Sequence, residues 1–427
     1  MKRLLLVAYF YPPVAGGGVY RTLGFVRHLP EFGYEPTVLT GPGAAPWVAD
    51  PGLLSAVAGV EVVRTPARSG PPIPRARASR PGWISALART AAWIAIPDAY
   101  ARWRAAAVRA GLARIRAGGV DAIYSTSPPD TGHLVARDLR RATGLPWLAD
   151  FRDPWIGLGY RRPPTPWHRA RHEALLRSVL REASRVVAAT EGTAAWLAVH
   201  AGDPAPRATV IENGFEAEEW RGVKPRRFDL FTVLHAGRLS EERTLEPFLR
   251  GLVLFLARHP DRRVGMQCLL YGPRDAAQER AIARSGLGDV VRFEGQASHV
   301  DALAMEAGAD LLLLVKSASP RYRDLVPGKL YEYIGAARPV LAVAPEGPAA
   351  DLVRRLRMGW VADPAAPEKI AEALDAAWAA RAAARGARGR DGDERGAGVP
   401  GHTPAEREPF TRRAAAERLA GLLGEIA

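Results

Sequence analysis

The sequence holds a single cysteine, Cys268, among 427 residues. One thiol closes no intrachain disulfide and completes no zinc site built on paired cysteines. Lysine is also scarce: five residues, against 54 arginines. A bias towards Ala, Arg, Gly and Pro, of the kind a GC-rich genome produces, accounts for much of that arginine. Long apolar runs are missing too. None approaches the ~18 residues of a membrane span. The start, Met1-Lys2-Arg3 followed by apolar residues 4–7, opens like a signal peptide. Phe10-Tyr11-Pro12-Pro13 interrupts it before a full apolar region forms. These absences predict a cytoplasmic protein.

Acidic residues are sparse in one half only. Residues 1–212 hold 27 Lys+Arg and 15 Asp+Glu, whereas residues 213–427 hold 32 and 30. Nearly all of the formal net charge of +14 therefore lies in the first half. Such asymmetry predicts an anionic partner on that side. Between positions 64 and 116 there are eleven arginines and one acid, Asp98. Otherwise the composition is that of a globular chain, with 48% hydrophobic and 24% charged residues. The length fits about two to three domains. A disordered tail and a small stapled scaffold are both excluded.

Short apolar strands alternate with helical patterns along the chain. In the first half the expected strands are 2–9, 35–40, 59–65, 121–125, 146–150 and 185–190. Helical spacing falls after residue 18 (Leu23, Val26, Leu29, Phe32), near 133–143 and near 167–183. Residues 213–228 are short, polar and irregular and read as a linker. A second alternation follows, with strands at 232–236, 265–271, 290–294, 310–315 and 339–344. Strand–helix–strand alternation with short links predicts parallel sheets covered on both faces. The expected fold is α/β: two Rossmann-like doubly wound domains, 1–212 and 229–377, facing a cleft. Residues 378–408 lack periodicity and read as a disordered connector. Residues 409–427 regain helical spacing, and that helix is expected to pack back on the first domain.

Several motifs fail on inspection. Gly16 and Gly18 are followed by Arg21 where a dinucleotide fingerprint needs a third glycine. Gly328-Lys329 is followed by Leu330, so it is no P-loop. His172-Glu173 lacks the second histidine of a zinc protease. Asp391-Gly392-Asp393 imitates a metal-binding D-x-D but sits in the low-complexity connector.

Two segments carry more weight. The run Tyr9–Arg21 places Gly16, Gly17 and Gly18 between a strand and a helix. Glycines there let the backbone approach a ligand, and the helix behind points its positive end at an anion. A tight strand-to-helix turn with no ligand fits equally well. The second segment is Asp324-Leu-Val-Pro-Gly-Lys-Leu-Tyr-Glu332. Two carboxylates bracketing a loop before a helix can hold a sugar on one side and a ribose on the other. The loop amides, around Gly328 and Lys329, can take a diphosphate between them. Equally, Glu332 can be a first-turn acid favoured by the helix dipole.

Together these segments resemble the family-4 retaining glycosyltransferases of the GT-B fold, over essentially the whole chain. Asp324 and Glu332 match that family's acid-x7-Glu signature, followed by its small-residue helix and Arg338-Pro339-Val340 strand. The family's first acid is usually Glu, so Asp324 is one methylene shorter. Tyr11-Pro12-Pro13 and the glycine run resemble its N-terminal loop. His235-Ala236-Gly237-Arg238-Leu239 resembles its Gly-Arg segment, and Ile211-Glu212-Asn213-Gly214 its linker. Asp150-Phe151-Arg152-Asp153-Pro154-Trp155 looks like one bacterial subgroup.

The resemblance implies roles. Arg238 and Arg243 would neutralise the donor diphosphate, Arg243 standing where a lysine is common, and Lys329 would assist. Gly16, Gly17, Gly18, Gly328 and Glu332 would bind the donor, and Asp324 would meet its sugar. His133 matches the family histidine that faces the donor sugar. Arg21, Arg152 and Asp153 would line the acceptor side; an ion pair shaping the loop is the plain alternative for the latter two. Retention of configuration is implied. No metal or other cofactor is implied, since arginines supply the positive charge. The implied partners are a nucleotide-sugar donor and a glycan or lipid-linked acceptor, in cell-envelope polysaccharide synthesis.

Two other readings compete. A nucleotide-sugar epimerase shares the fold, but no convincing acid/base set can be placed for it. A basic membrane or nucleic-acid binding module fits the charge, but no nucleic-acid motif is present. The pattern in 81–96, flanked by Trp83 and Trp93, and a following helix with Tyr100, Trp103 and Leu112 could lie on an anionic membrane surface. Packing on the sheet, with arginines facing water, is the alternative. The protein would then be peripheral at the inner face of the membrane.

Overall fold

The computed structural model describes residues 1–14, 16–43, 50–66, 95–158, 163–202, 208–240, 242–387 and 401–427. These divide into two compact units: residues 1–213 with 412–427, and residues 214–411. Each unit is built on one wholly parallel sheet, as the alternation of strands and helices predicts.

The first unit has seven strands: β1 (Lys2–Val7), β2 (Tyr34–Thr40), β3 (Glu61–Arg64), β4 (Ala122–Ser127), β5 (Trp147–Phe151), β6 (Arg185–Ala188) and β7 (Thr209–Val210). Their order across the sheet is β3-β2-β1-β4-β5-β6-β7. The central strands are buried on both faces, so they read as continuous apolar runs rather than alternating ones. In β1, Leu4, Leu5, Leu6 and Val7 are all buried. Even residues join the cluster with Leu23, Val26 and Leu29, and odd ones the cluster with Leu134 and Leu139. Threonine caps fix two helix starts: Thr165 accepts from the His168 amide and Thr190 from the Thr193 amide.

The helix Arg412–Gly424 belongs to this unit and packs against the helix Gly17–His28. Leu419 and Leu423 are fully buried there, each contributing about 1.5–3 kcal/mol. Gly24 admits the contact, because a Cβ there would stand 2.8 Å from the Arg412 Cδ.

The second unit has six strands: β8 (Phe231–Ala236), β9 (Met266–Tyr271), β10 (Val291–Gly295), β11 (Leu311–Val315), β12 (Val340–Val343) and β13 (Gly359–Ala362). Their order is β10-β9-β8-β11-β12-β13. In both sheets the strand order reverses once, between β1 and β4 and between β8 and β11. Crevices at the carboxyl ends of such reversals are where doubly wound sheets bind ligands.

The structure differs from the sequence expectations at several places. Residues 214–228 belong to the second unit and carry a helix, Ala217–Arg221. Trp220 packs so closely on Gly335 that a Cβ there would lie 2.2 Å from the indole nitrogen. The helix Pro367–Ala387 runs ten residues into the segment read as a connector. Its Ala and Arg residues favour helix without giving an amphipathic period. A further helix, Pro404–Arg407, starts from a Thr403/Glu406 capping box. The Asp391–Asp393 motif and nearly all of the 81–96 pattern lie outside the described residues. The following helix is Trp103–Arg116, and its tryptophan faces inward. Trp103 is 1% exposed and donates to Thr65 Oγ1 at 2.6 Å, so it is a core residue and not a membrane anchor. No described helix is long and apolar enough to cross a membrane.

Candidate functional site

In the second unit the site grows from the carboxyl end of β8. Gly237 follows the strand with φ +156°, and its amide donates to the Tyr271 carbonyl at 2.7 Å. Gly272, after β9, has φ +154°, and a Cβ there would meet the Gly237 oxygen at 2.1 Å. Two neighbouring strand ends therefore close on each other in a way that requires glycine at 272. Arg238 emerges next and is exposed. Arg243, also exposed, closes a tight turn with Ser240 through backbone bonds of 3.3 and 3.0 Å.

His235, one residue before the end of β8, is buried. Burial brings its pKa down to about 4, so the ring is neutral near pH 7. Its Nδ1 lies 2.9 Å from the Leu313 carbonyl oxygen. A carbonyl only accepts, so Nδ1 carries the proton and Nε2 is left as an acceptor. The reversal between β8 and β11 is thus spanned by a histidine of fixed tautomer.

The helix Gly328–Ala336 follows Pro327 and has no side-chain cap among the described residues. Its first-turn amides are therefore open, except that Leu330 donates to the Pro327 carbonyl. Gly328 is exposed at the first position. Lys329 turns inward instead. Its Nζ bonds Glu332 Oε2 at 2.6 Å and Glu306 Oε1 at 3.1 Å. Burial alone would lower the lysine pKa, but the two carboxylates more than reverse this and hold it above its ordinary value. Glu332 lies in the second turn of the helix, so it is not the first-turn acid that the dipole argument allowed. Asp324 is exposed in the turn before the helix.

Two residues here were missed from sequence. Glu306, on the helix His299–Gly308, is 0% exposed. Lys316 follows β11 and is 5% exposed, and its Nζ donates to the Arg323 carbonyl beneath the Asp324 turn. Burial lowers its pKa to about 8, with Asp324 pulling the other way. Gly347, with φ +142°, packs against Arg323 from the other side. A buried acid within an apolar helix segment, Leu303-Ala-Met-Glu306, was the available signal for the first. A lone lysine directly after a strand of four leucines and a valine was the signal for the second.

In the first unit the corresponding reversal lies between β1 and β4. Gly16 precedes the helix Gly17–His28 with φ +138°, and that helix also has no side-chain cap among the described residues. Arg152, just after β5, reaches over its first turn. A Cβ on Gly18 would come within 2.1 Å of the Arg152 Nη1. The guanidinium donates to the Ser127 carbonyl at 3.0 Å and to the Pro128 carbonyl. Burial lowers its pKa, with Asp153 the largest opposing charge. Gly18 and Arg152 thus meet at this strand end, with Asp153 next to Arg152 in the chain.

Arg21 sits deeper. It is 5% exposed and forms a two-pronged pair with Asp150, Nε to Oδ2 at 2.9 Å and Nη2 to Oδ1 at 2.8 Å. Its Nη1 donates to the Glu212 carbonyl at 3.0 Å and to Asn213 Oδ1 at 3.3 Å. The expected contact with an acceptor is not what this guanidinium makes; it ties the sheet to residues 212–213. Asp150 also accepts from Tyr124 and Thr126, at 2.6 and 3.0 Å.

His133 departs furthest from its expected role. It is 0% exposed, with Nδ1 2.8 Å from Ser125 Oγ. That hydroxyl in turn accepts from the Trp147 indole at 2.8 Å. Phe151 lies against the ring at 4.3 Å between centroids, and Trp155 stacks at 6.3 Å. The third residue of its helix is thus packed in the core of the first unit.

The profile described as "Glycosyl transferase 4-like domain" matches residues 16–214. "Glycosyl transferases group 1" matches residues 231–379. No match was found among curated proteins. Among solved structures, Anabaena Alr3699/HepE in complex with UDP and glucose is 18% identical, covers 100% of both chains and has a TM-score of 0.63. Sucrose-phosphate synthase from Thermosynechococcus elongatus is 18% identical, covering 100% of this chain and 99% of its own, TM-score 0.63. An α,α-trehalose-phosphate synthase from Burkholderia vietnamiensis is 16% identical, covering 100% of both, TM-score 0.65. At such identities the structures speak for the fold, and the two profiles speak for the family. The chain belongs to the group-1, family-4 glycosyltransferases, built on the GT-B fold.

Proposed function

We propose that the chain moves a sugar from a nucleotide-diphosphate donor to a glycan or lipid-linked acceptor, with retention of configuration. The second unit holds the donor. The observation that carries this reading is the arrangement at its strand reversal. Exposed Arg238 follows the Gly237/Gly272 crossing, and exposed Arg243 lies near enough for its charge to act on His235. Uncapped amides begin at Gly328, and Glu332 is fixed one turn further on. Amides and arginines suit a diphosphate, and a fixed carboxylate suits ribose hydroxyls.

In this reading the bond from the anomeric carbon to the leaving phosphate oxygen breaks. A bond to the acceptor oxygen forms on the same face, and the acceptor's proton passes to the leaving phosphate. Asp324 meets the donor sugar. Gly16–Gly18 offer backbone amides, while Arg152 and Asp153 shape the acceptor side. The arginines carry the charge compensation, so the reading assigns no metal.

Incubation with a panel of UDP- and GDP-sugars and candidate acceptors tests it. Release of nucleotide with formation of a glycosidic product is expected, undiminished in EDTA. NMR of the product should show the donor's anomeric configuration retained. An isomerised donor with no nucleotide released would point to an epimerase, and an inverted product would sink the retaining assignment.

The excess of basic charge in residues 1–212 supports an anionic acceptor or the membrane that carries it. A cytoplasmic protein peripheral at the inner membrane face is the matching location. Co-sedimentation with phosphatidylglycerol-containing vesicles should be strong at 20 mM salt and weak at 500 mM. Equal recovery with neutral vesicles would remove the electrostatic part of this reading.

A further inference from the structure

We propose that Glu306 is a positioning residue for Glu332: it draws the Lys329 ammonium inward, and that ammonium holds the Glu332 carboxylate where donor hydroxyls can use it. The inference rests on the donor reading above and adds to it a residue that lies outside the acid-x7-Glu segment.

The geometry is a carboxylate–ammonium–carboxylate bridge between two helices. Glu306 comes from His299–Gly308, and Lys329 and Glu332 come from Gly328–Ala336. The distances are 3.1 Å and 2.6 Å, and the three side chains are 0%, 29% and 18% exposed. A carboxylate as deep as Glu306 is costly unless a cation meets it. Lys329 is that cation, which explains why its side chain turns away from the open helix end. The ammonium is thereby spent on two acids and is not the phosphate ligand that its place in the helix-entry turn suggests. The pair instead fixes Glu332, whose other oxygen can accept from a ribose or sugar hydroxyl.

One ammonium between two acids leaves one negative charge in excess. Glu306 Oε2 meets no hydrogen-bond partner among the described residues. The groups facing it are Lys329, Glu332 and Tyr333 on the opposite helix and His299 on its own. His299 is paired with Glu219 at 2.9 Å, and that pairing raises its pKa. Burial pushes the Glu306 carboxyl up to about 7; Lys329 opposes this and Glu332 adds to it. Below that pH Glu306 is neutral and the ammonium belongs to Glu332 alone, weakening it as an acceptor. Above it the ammonium is shared, and Glu332 accepts more strongly.

Isothermal titration of the full chain with UDP-glucose and with GDP-mannose, from pH 5.5 to 8.5, tests this. Both probes are diphosphate diesters whose charge is constant over that range, so any slope belongs to the protein. The wild type should bind one of them more tightly as pH rises through about 7. Glu306→Gln should lose that slope and bind about tenfold more weakly at pH 8, the ordinary worth of one hydrogen bond to a charged group. Glu306→Asp, which keeps the charge on a shorter stem, should recover the slope. A Glu306→Gln chain with wild-type affinity and an unchanged slope would overturn the proposal while leaving the donor reading intact. A wild type that binds neither probe would overturn the donor reading, and the proposal with it.

Discussion

Arg21→Met is expected to destabilise the first unit by about 3–5 kcal/mol, the usual cost of leaving a buried charge without its partner. The stranded group is Asp150, 0% exposed. In the wild type, burial pushes its pKa up, but Arg21 more than compensates, so the carboxyl titrates below its ordinary value. The sign follows. A depressed carboxyl contributes stability above the unfolded-state pKa of about 4, lost only as pH falls through the lower folded value. Without the guanidinium, burial dominates and the direction reverses. The variant should then be more stable in mild acid than at pH 8. Urea unfolding followed by tryptophan fluorescence at pH 5 and pH 8 measures both effects. Asp150→Asn in the Arg21→Met background should recover much of the loss, because an amide needs no cation. A single variant within about 1 kcal/mol of wild type would show that Tyr124, Thr126 and the remaining charge of Arg152 suffice for Asp150.

Arg238→Ala should lower kcat/KM by about 10²–10³, the range for removing one group that stabilises developing charge. Arg238 is the first residue past the glycine crossing at the end of β8, and its side chain is exposed rather than engaged in the core. Its loss should therefore leave the unfolding free energy within about 0.5 kcal/mol of wild type. Arg238→Lys should recover part of the rate, since a lysine restores charge but not the two-pronged grip on phosphate. Steady-state kinetics with the donor found in the nucleotide-sugar panel would decide it. A rate for Arg238→Ala within about threefold of wild type would remove the arginine from the leaving-group site.

The strands were legible because parallel strands buried on both faces carry no polar alternation. Residues 4–7 and the leucines of β11 announce themselves. β13 does not: it is four residues long, half-buried, and begins at Gly359, where a Cβ would meet the Val340 oxygen at 2.3 Å. The glycine turns, Arg238 and the Asp324–Glu332 segment could be read because strand ends and helix starts fix where backbone and side chains emerge. Direction of burial could not be read. His133 sits in a helix whose first seven residues are all buried, so its position after a strand end says nothing about which way it faces. Glu306 is separated by 23 positions from the lysine that makes its burial tolerable. No local pattern carries that information.

The first unit is discontinuous in sequence, and this sets an order of events during synthesis. Residues 1–213 leave the ribosome first, yet the helix that packs on the Tyr20 and Gly24 side of Gly17–His28 is made only after the second unit. Until residues 412–427 emerge, that face stays uncovered while the whole second unit is being translated. The nascent chain should therefore engage a holding chaperone longer than a sequential two-domain protein of equal length. A chain stopped at residue 411 should leave the second unit complete and the first one prone to aggregate.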